Sequence, residues 1–308
     1  MYKFNKILVG LDHSETDKDL IKAASFVSEL SSSKVVNFVN IIREINIPDK
    51  VKKEFPNLLD QAIAERKKDL ESVISDYFKN PDVAIDIKVI VDEGQVTKAL
   101  LKHTVKEKTD LVILGRKNEK KGGGVLVNRI ARRASCSLLI IPKGSELSMS
   151  RMLVPTDFSD YSRSALEKAA NMMRKSKVKG EIIIQNVYQV PVGYHYTGKS
   201  FKEFAEIMKE HSKKDFDLYS KGIKLEDLNV LQKYSLDKDD DIISDIYALA
   251  KKSKSTLIII GAKGRTATTA LFIGSKAEKL IQVNEETPML VIRPKGKNAG
   301  ILDYLKEL

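Results

Sequence analysis

The sequence predicts an α/β fold, organised as two doubly wound parallel-sheet sandwiches in one chain, and three observations lead to this prediction. The chain repeats itself once, at an offset of about 146 residues. Within each copy, strand-like apolar runs alternate with helical patterns. Several of these runs are continuously apolar, which is typical of parallel strands covered by helices on both faces. The alternating order predicts right-handed crossovers around each sheet.

The repeat is defined by matching strand segments. Each first strand ends in Asp and is followed two residues later by Ser, at Asp12 and Ser14 and again at Asp157 and Ser159. The matching pairs are 5–14 with 150–159, 111–117 with 257–263, and 137–143 with 288–294. The polar segment 144–150 between the copies has the composition of a linker. We therefore predict domains at 1–144 and 150–296, with a C-terminal tail at 297–308.

The elements alternate in the same order in both units. In the first unit the predicted strands are 7–11, 34–39, 84–91, 111–114 and 138–141, and the helices are 17–30, 59–77, 95–106 and 125–133. In the second unit the strands are 152–155, 181–187, 229–236, 257–260 and 289–292, and the helices are 162–175, 201–220, 241–252 and 271–283. In such sheets ligands bind beyond the carboxyl ends of the strands, where strand order switches. Asp157 and Gly261 end two strands that would meet there.

The composition is that of a folded protein without a membrane-spanning segment. Hydrophobic residues make up 42% of the 308 residues and charged residues 31%, which is ordinary for a folded domain. No run of about 18 uncharged apolar residues is long enough to span a membrane, and the N-terminus lacks the features of a signal peptide. The single cysteine, Cys136, cannot form an internal disulfide and is expected to be a buried thiol. These features favour a cytoplasmic location.

The net charge of +11 raises the question of nucleic-acid binding. The lysines are spread along the chain, aromatic residues make up only 6%, and no run interleaves aromatic with basic residues. We therefore interpret most of the charge as solvated helix faces and do not expect nucleic acid to be the partner. A local cluster at Arg116, Lys117, Lys120 and Lys121 lies in a predicted loop that could meet an anion.

One short pattern in the second unit carries most of the functional information. It consists of Gly261-Ala262-Lys263-Gly264, nine further residues, and Gly274-Ser275. The apolar run 257–260 precedes it and a helical pattern follows it. Glycines let backbone N–H groups approach a phosphate closely and allow positive φ where a loop must curl. The helix N-terminus adds unpaired N–H groups and a positive dipole end, so the pattern predicts a phosphate loop.

This pattern resembles the phosphate loop of the universal stress protein (UspA) family, whose ATP-binding members carry Gly-x2-Gly-x9-Gly-Ser/Thr. The chain is similar to a tandem, two-domain member of that family. The resemblance implies a Rossmann-like fold of the adenine nucleotide alpha hydrolase type and bound ATP, together with Mg²⁺. It also implies internal pairing of the two domains through their last strands, 138–141 against 289–292, with pseudo-twofold symmetry. The paired chain could dimerise further.

The resemblance also assigns site residues in the second unit. Pro155, Thr156 and Asp157 correspond to nucleoside contacts, and Val187 corresponds to the position that reads the adenine edge through its backbone. The implied triphosphate contacts are Gly261, Lys263, Gly264, Gly274, Ser275 and Lys276, and Ile260 is included among the nucleotide-binding residues. Two alternatives stay open: Asp157 could be a helix N-terminal or turn residue, and Lys263 could be a solvated loop lysine.

The first unit departs from the pattern. Asn118 replaces the second glycine, the loop is about five residues shorter, and its end at Gly123-Gly124 has no serine hydroxyl. Asp12 is retained. We therefore expect the first unit to be degenerate for ATP, the alternative being that its lysine-rich loop binds another anion.

Catalytic signatures are weak. The four histidines lack metal-ligand spacing, and the chain has neither a Gly-x-Ser-x-Gly elbow nor a Gly-x4-Gly-Lys-Ser/Thr loop. The acidic run 237–241 suits charge compensation at a helix N-terminus better than a metal site. The leading hypothesis is an ATP-binding stress-response or regulatory protein rather than an enzyme. The alternatives are a slow ATPase and an interaction scaffold that binds no nucleotide. The sequence identifies no protein partner, and segment 190–200 could be a lid or a surface loop.

Overall fold

A computed structural model describes residues 3–43, 48–79, 84–117, 124–264 and 273–293 of the chain. The chain divides into two units between Glu146 and Leu147. Each unit is an α/β fold whose paired strands are parallel, so the predicted fold class is confirmed. None of the helices in the described ranges is both long and apolar enough to cross a lipid bilayer.

The first unit has a sheet with strand order β3-β2-β1-β4-β5. Its elements are β1 (Lys6–Leu11), α1 (Asp17–Ser31), β2 (Val35–Ile42), α2 (Asp49–Glu54), α3 (Leu58–Tyr77), β3 (Asp86–Glu93), α4 (Val96–Lys106), β4 (Leu111–Arg116), α5 (Val125–Arg133) and β5 (Ser137–Pro142).

The second unit repeats this arrangement with strand order β10-β9-β6-β7-β8. Its elements are β6 (Arg151–Thr156), α6 (Asp160–Lys175), β7 (Glu181–Tyr188), α7 (Phe201–Tyr219), β8 (Val230–Leu236), α8 (Ile242–Lys252), β9 (Leu257–Gly261), α9 (Ser275–Val283) and β10 (Met289–Ile292). Strands β6 and β9 are neighbours in the middle of the sheet. The strand order reverses between them, so their carboxyl ends form the switch point at which ligands bind in such folds.

The central strands form the core of each unit, because both of their faces are buried. Val154 in β6 and Ile259 in β9 are fully buried, as are Leu8 and Ile113 in the first unit. The edge strands β3 and β8 are only partly buried, because no neighbouring strand covers one side of each. This pattern explains why the central strands are continuously apolar in the sequence and the edge strands are not.

Two elements were missed from the sequence. Helix α2 has only six residues, which is too short to show a helical repeat. A 3₁₀ helix at Tyr194–Thr197 lies within segment 190–200, between two glycines with positive φ, Gly193 and Gly198. Helix α9 begins at Ser275, where residues 271–283 were predicted; residues 271 and 272 lie outside the described ranges.

Candidate functional site

A cleft of about 640 Å³ lies in the second unit at the carboxyl ends of β6, β7 and β9. All eleven residues that the sequence singled out line it. They are Pro155, Thr156, Asp157, Val187, Ile260, Gly261, Lys263, Gly264, Gly274, Ser275 and Lys276. Helices α7, α8 and α9 complete the walls, so the cleft belongs to this unit alone. A cleft of this size matches the range of roughly 300 to 1,000 Å³ in which small-molecule ligands are bound.

The end of β6 is shaped by a tight turn into α6. Phe158 has φ of 61°, an unusual conformation for a residue with a side chain. The Oδ1 atom of Asp157 accepts hydrogen bonds from Ser159 N at 3.1 Å and from Ser159 Oγ at 2.6 Å. Ser159 Oγ in turn accepts from Ser162 N and caps the helix. Asp157 therefore orients the turn without serving as the cap, and its Oδ2 lies directly beside Gly264.

A hydrogen-bond network holds the Thr156 backbone in place. Asn186 Nδ2 donates to Thr156 O at 2.9 Å, and Thr156 Oγ1 accepts from Phe158 N at 3.1 Å. Thr156 Oγ1 also lies 3.1 Å from Ser162 Oγ, which accepts from Tyr219 OH at 3.3 Å. Burial raises the pKa of Tyr219, so its hydroxyl stays protonated and keeps donating. This wall of the cleft is therefore preorganised.

The three motif glycines lie in tight places and have no positive φ, and Gly261 is the most crowded by backbone. Among the described residues, positive φ occurs at other glycines, so Gly261, Gly264 and Gly274 make no use of the conformational freedom of glycine. A Cβ on Gly261 would lie 2.6 Å from the backbone carbon of Tyr161. A Cβ on Gly264 would lie 2.6 Å from Asp157 Oδ2, and one on Gly274 would lie 3.3 Å from the Cα of Lys263.

Helix α9 begins at the phosphate-loop end of the cleft. Gly274 N donates to Ala262 O at 2.8 Å, which brings the start of the helix back against the end of β9. Gly274 is the N-cap residue and has no side chain with which to cap the first turn. Since the first N–H groups of a helix have no partner within it, those of Ser275 and Lys276 are available at the cleft wall.

Two buried cationic side chains lie at the same end. Lys263 is only 7% exposed and Arg293, just beyond β10, is 6% exposed. The Lys263 ammonium lies 5.8 Å from the centre of the Tyr161 ring. Burial, with a smaller contribution from the positive charge of Arg293, lowers the pKa of Lys263. The interpretation of Lys263 as a solvated loop lysine is therefore wrong, because its charge is held inside the protein.

The matches to known proteins fall on the same two units of the chain. The model of the "Universal stress protein family" matches residues 3–142 and again residues 149–293. The chain belongs to the universal stress protein family.

Three relatives illustrate the similarity. Universal stress protein MJ0531 of Methanocaldococcus jannaschii is 27% identical over 163 residues, which covers 51% of this chain and 89% of that protein. Universal stress protein E homolog of Haemophilus influenzae is 20% identical over 319 residues, covering 96% of this chain and 99% of that protein. The crystal structure of a universal stress protein from Archaeoglobus fulgidus has a TM-score of 0.63 at 17% identity, covering 94% and 97% of the two chains. The structural similarity to the Archaeoglobus fulgidus protein shows that the two chains share a fold.

The first universal stress protein unit arranges the matching residues differently. Lys117 occupies the position of Lys263 in the repeat, and its ammonium lies 2.7 Å from Asp12 Oδ2. Burial acts to raise the pKa of Asp12, but Lys117 and Ser14 more than offset it, so the net shift is downward. The aspartate of this unit is thus already neutralised by a lysine of the same unit. The loop 118–123 lies outside the described residues.

Several residues of the second-unit cleft were not found from the sequence. Ile242, Ile243 and Ile246 project from α8, which the motif does not include. Gln185 also lines the cleft and is fully buried. A period of two along β7, counted back from Val187, was the available signal for Gln185.

The acidic run 237–241 has a structural role, as predicted. Asp237 Oδ1 accepts from the backbone N–H groups of Asp239 and Asp241, and Asp241 caps α8 through Ser244 N at 3.4 Å. Within the described ranges no group of three or more His, Cys, Asp or Glu side chains could hold a metal ion.

Proposed function

We propose that this universal stress protein binds one ATP, as its Mg²⁺ complex, in the cleft of the second unit, and that binding regulates a partner or a conformation. The observation that carries the proposal is the convergence of the eleven predicted residues, the buried Lys263 among them, on one cleft. A nucleotide switch of this kind requires only different ligand affinity in two states of the protein.

The nucleoside end suits an adenine ring and a ribose. Ile243 and Ile246 of α8 give this end an apolar wall, and Val187 stands at the end of β7. The ring would lie against the isoleucines while its edge meets the backbone at Val187. Asp157, with its Oδ1 held by Ser159, would accept a hydrogen bond from a ribose hydroxyl.

The phosphate end suits a polyphosphate. The first turn of α9 supplies N–H groups at this end of the cleft. Lys263 lines this end and is buried, so its positive charge lies where water is largely excluded and an anion there gains more than it would at the surface. Mg²⁺ would be held mainly by phosphate oxygens, with the Ser275 hydroxyl as a protein ligand.

The first unit is proposed to leave ATP unbound. Its Asp12 carboxylate is engaged by Lys117, so a nucleotide would have to break that ion pair before using either group. The two units of one chain therefore provide matched variants, in which the same substitution is made at equivalent positions.

The experiment is to incubate purified protein with Mg²⁺ and ATP, remove free nucleotide rapidly on a desalting column, denature the protein and quantify the adenine nucleotide released. We expect up to one nucleotide per chain. Gly274→Val is expected to lose it, because the valine branch would enter a gap where even a Cβ lies 3.3 Å from Lys263 Cα. Retention of full binding by Gly274→Val, with folding intact by circular dichroism, would contradict the proposed site. The released nucleotide is analysed as ATP or ADP, which also reports any turnover.

ATP affinity is expected to fall with rising pH in the alkaline range. The pKa of Lys263 is lowered in the ligand-free protein, and nearby phosphates would raise it again. Between these two pKa values ATP binding takes up a proton, so affinity decreases as the pH rises through this window; below it the lysine contributes no pH dependence. Calorimetric titrations from pH 7 to pH 10 measure this slope. Lys263→Gln is expected to flatten the profile, and an unchanged slope in that variant would refute the assignment.

A further inference from the structure

Gln185 is a polar residue in the wall of the cleft. It is fully buried in β7 and lines the cleft together with Ile243 and Ile246. In the parallel register it pairs with Pro155 on the neighbouring strand β6, so the two side chains lie on the same face of the sheet. It also shares that face with Val187, two residues further along β7. Gln185 therefore lies at the nucleoside end of the cleft.

The orientation of the Gln185 amide is fixed by its partners. Nε2 donates to Ser235 Oγ at 3.0 Å and to the carbonyl oxygen of Asp245 at 3.3 Å. A carbonyl oxygen can only accept, so the contact with Asp245 O requires the NH₂ group on that side. These hydrogen bonds therefore determine which atom of the amide is the nitrogen and which is the oxygen.

The amide oxygen itself is left without a partner. Among the described residues, Gln185 Oε1 is a buried side-chain atom with no hydrogen bond. A buried acceptor in this state is unfavourable. A ligand that brings an N–H donor to Gln185 Oε1 would give this oxygen a hydrogen-bond partner.

The first unit offers an internal comparison. There Val39 pairs with Gly10 in the register position where Gln185 pairs with Pro155. The unit whose aspartate is neutralised by Lys117 thus has an apolar side chain at this point. The unit with the complete glycine motif has an amide. Buried amide oxygens without a partner also occur on β2 of the first unit, but at Asn37 and Asn40 and not at the position equivalent to Gln185.

We infer that Gln185 selects the base, accepting a hydrogen bond from the exocyclic amine of a 6-aminopurine and disfavouring 6-oxopurines. This inference rests on the proposed binding of ATP in this cleft. With a 6-oxopurine such as hypoxanthine, an acceptor would face an acceptor and both would stay unsatisfied. With an unsubstituted purine, Oε1 would simply remain unpaired.

The test compares three nucleotides on the wild-type protein by calorimetry in the presence of Mg²⁺: ATP, ITP and purine riboside triphosphate. The last two differ from ATP only at the 6-position and the adjacent ring nitrogen. Wild type is expected to prefer ATP over both by about 5- to 150-fold, the range for one buried hydrogen bond made or lost. Equal affinity for the three nucleotides would overturn the inference and leave the proposed function standing. Absence of binding by any of them would overturn the proposed function.

Gln185→Leu then assigns the preference to this residue. The variant keeps side-chain size and removes the acceptor, so the ratio of ATP to ITP affinity is expected to fall toward one. Ile246→Val is the matched control: it removes a methyl from the same end of the cleft, so it weakens both nucleotides and leaves their ratio unchanged. A ratio that persists in Gln185→Leu would show that another group reads the base. If that variant does not fold, Gln185→Val replaces it, since valine occupies the equivalent sheet position in the first unit.

Discussion

Gly261→Ala is expected to lower the free energy of unfolding of the second unit by about 1 to 3 kcal/mol, through overpacking of a tight contact. The new Cβ would lie 2.6 Å from the backbone carbon of Tyr161 and 2.7 Å from its carbonyl oxygen. A backbone segment at the start of α6 cannot rotate away as a side chain would. The strain therefore has to be relieved by moving α6 or β9, and these two elements are in direct contact.

Gly115→Ala is the matched control, because Gly115 holds the equivalent position at the end of β4. Its Cβ would meet the methyl group of Thr16 at 3.1 Å, a side-chain atom that can shift. Urea denaturation followed by circular dichroism compares the two variants. A loss of stability for Gly261→Ala no greater than that for Gly115→Ala would contradict the assigned packing role. This result also bears on binding, because reduced ATP affinity in Gly261→Ala would report disturbed packing together with any lost phosphate contact.

Lys263→Gln is expected to weaken ATP binding by about 10- to 150-fold, the range for one hydrogen bond to a charged group. The side chain is nearly inaccessible to solvent and lies beside Arg293, whose charge lowers its pKa further. A phosphate at this place would pair with a charge that is poorly hydrated. AMP, which has no β- and γ-phosphates, is expected to be affected less than ATP by the same substitution.

Lys117→Gln provides the control at the equivalent position of the first unit. It removes the ion pair with Asp12 but is expected to leave ATP affinity unchanged, because ATP is proposed to bind only the second unit. Fluorescence anisotropy of a labelled ATP, displaced by unlabelled ATP or AMP, measures the affinities of wild type, Lys263→Gln and Lys117→Gln for both nucleotides. Equal weakening by the two substitutions would mean that both units bind nucleotide, and no weakening by Lys263→Gln would remove this lysine from the site.

The sequence predicted the strands, most helices and the motif part of the cleft because these signals are local. An apolar run such as 257–260 and the spacing from Gly261 to Gly274 are visible in the printed sequence, and the repeat gives each strand a second occurrence. The parallel topology then brings the ends of β6 and β9 together by rule. The convergence of the eleven residues follows from that rule.

The parts that were missed depend on tertiary packing. Nothing near Lys263 in the sequence indicates that its side chain turns inward over Tyr161, a residue about 100 positions earlier. The sequence gives no sign either that the same residue crowds Gly261 and leaves no room for a Cβ there. Gln185 stands in an apolar strand pattern, and its unpaired oxygen is apparent only once Ser235 and Asp245 are in place.

The most direct test of the central claim is a crystal structure of the protein grown with Mg²⁺ and ATP. Electron density for one nucleotide is predicted in the second unit, with the base near Val187 and Gln185 and the phosphates between Lys263 and the first turn of α9. Nucleotide density in the first unit instead, or none in either unit from crystals grown at millimolar ATP, would contradict the account.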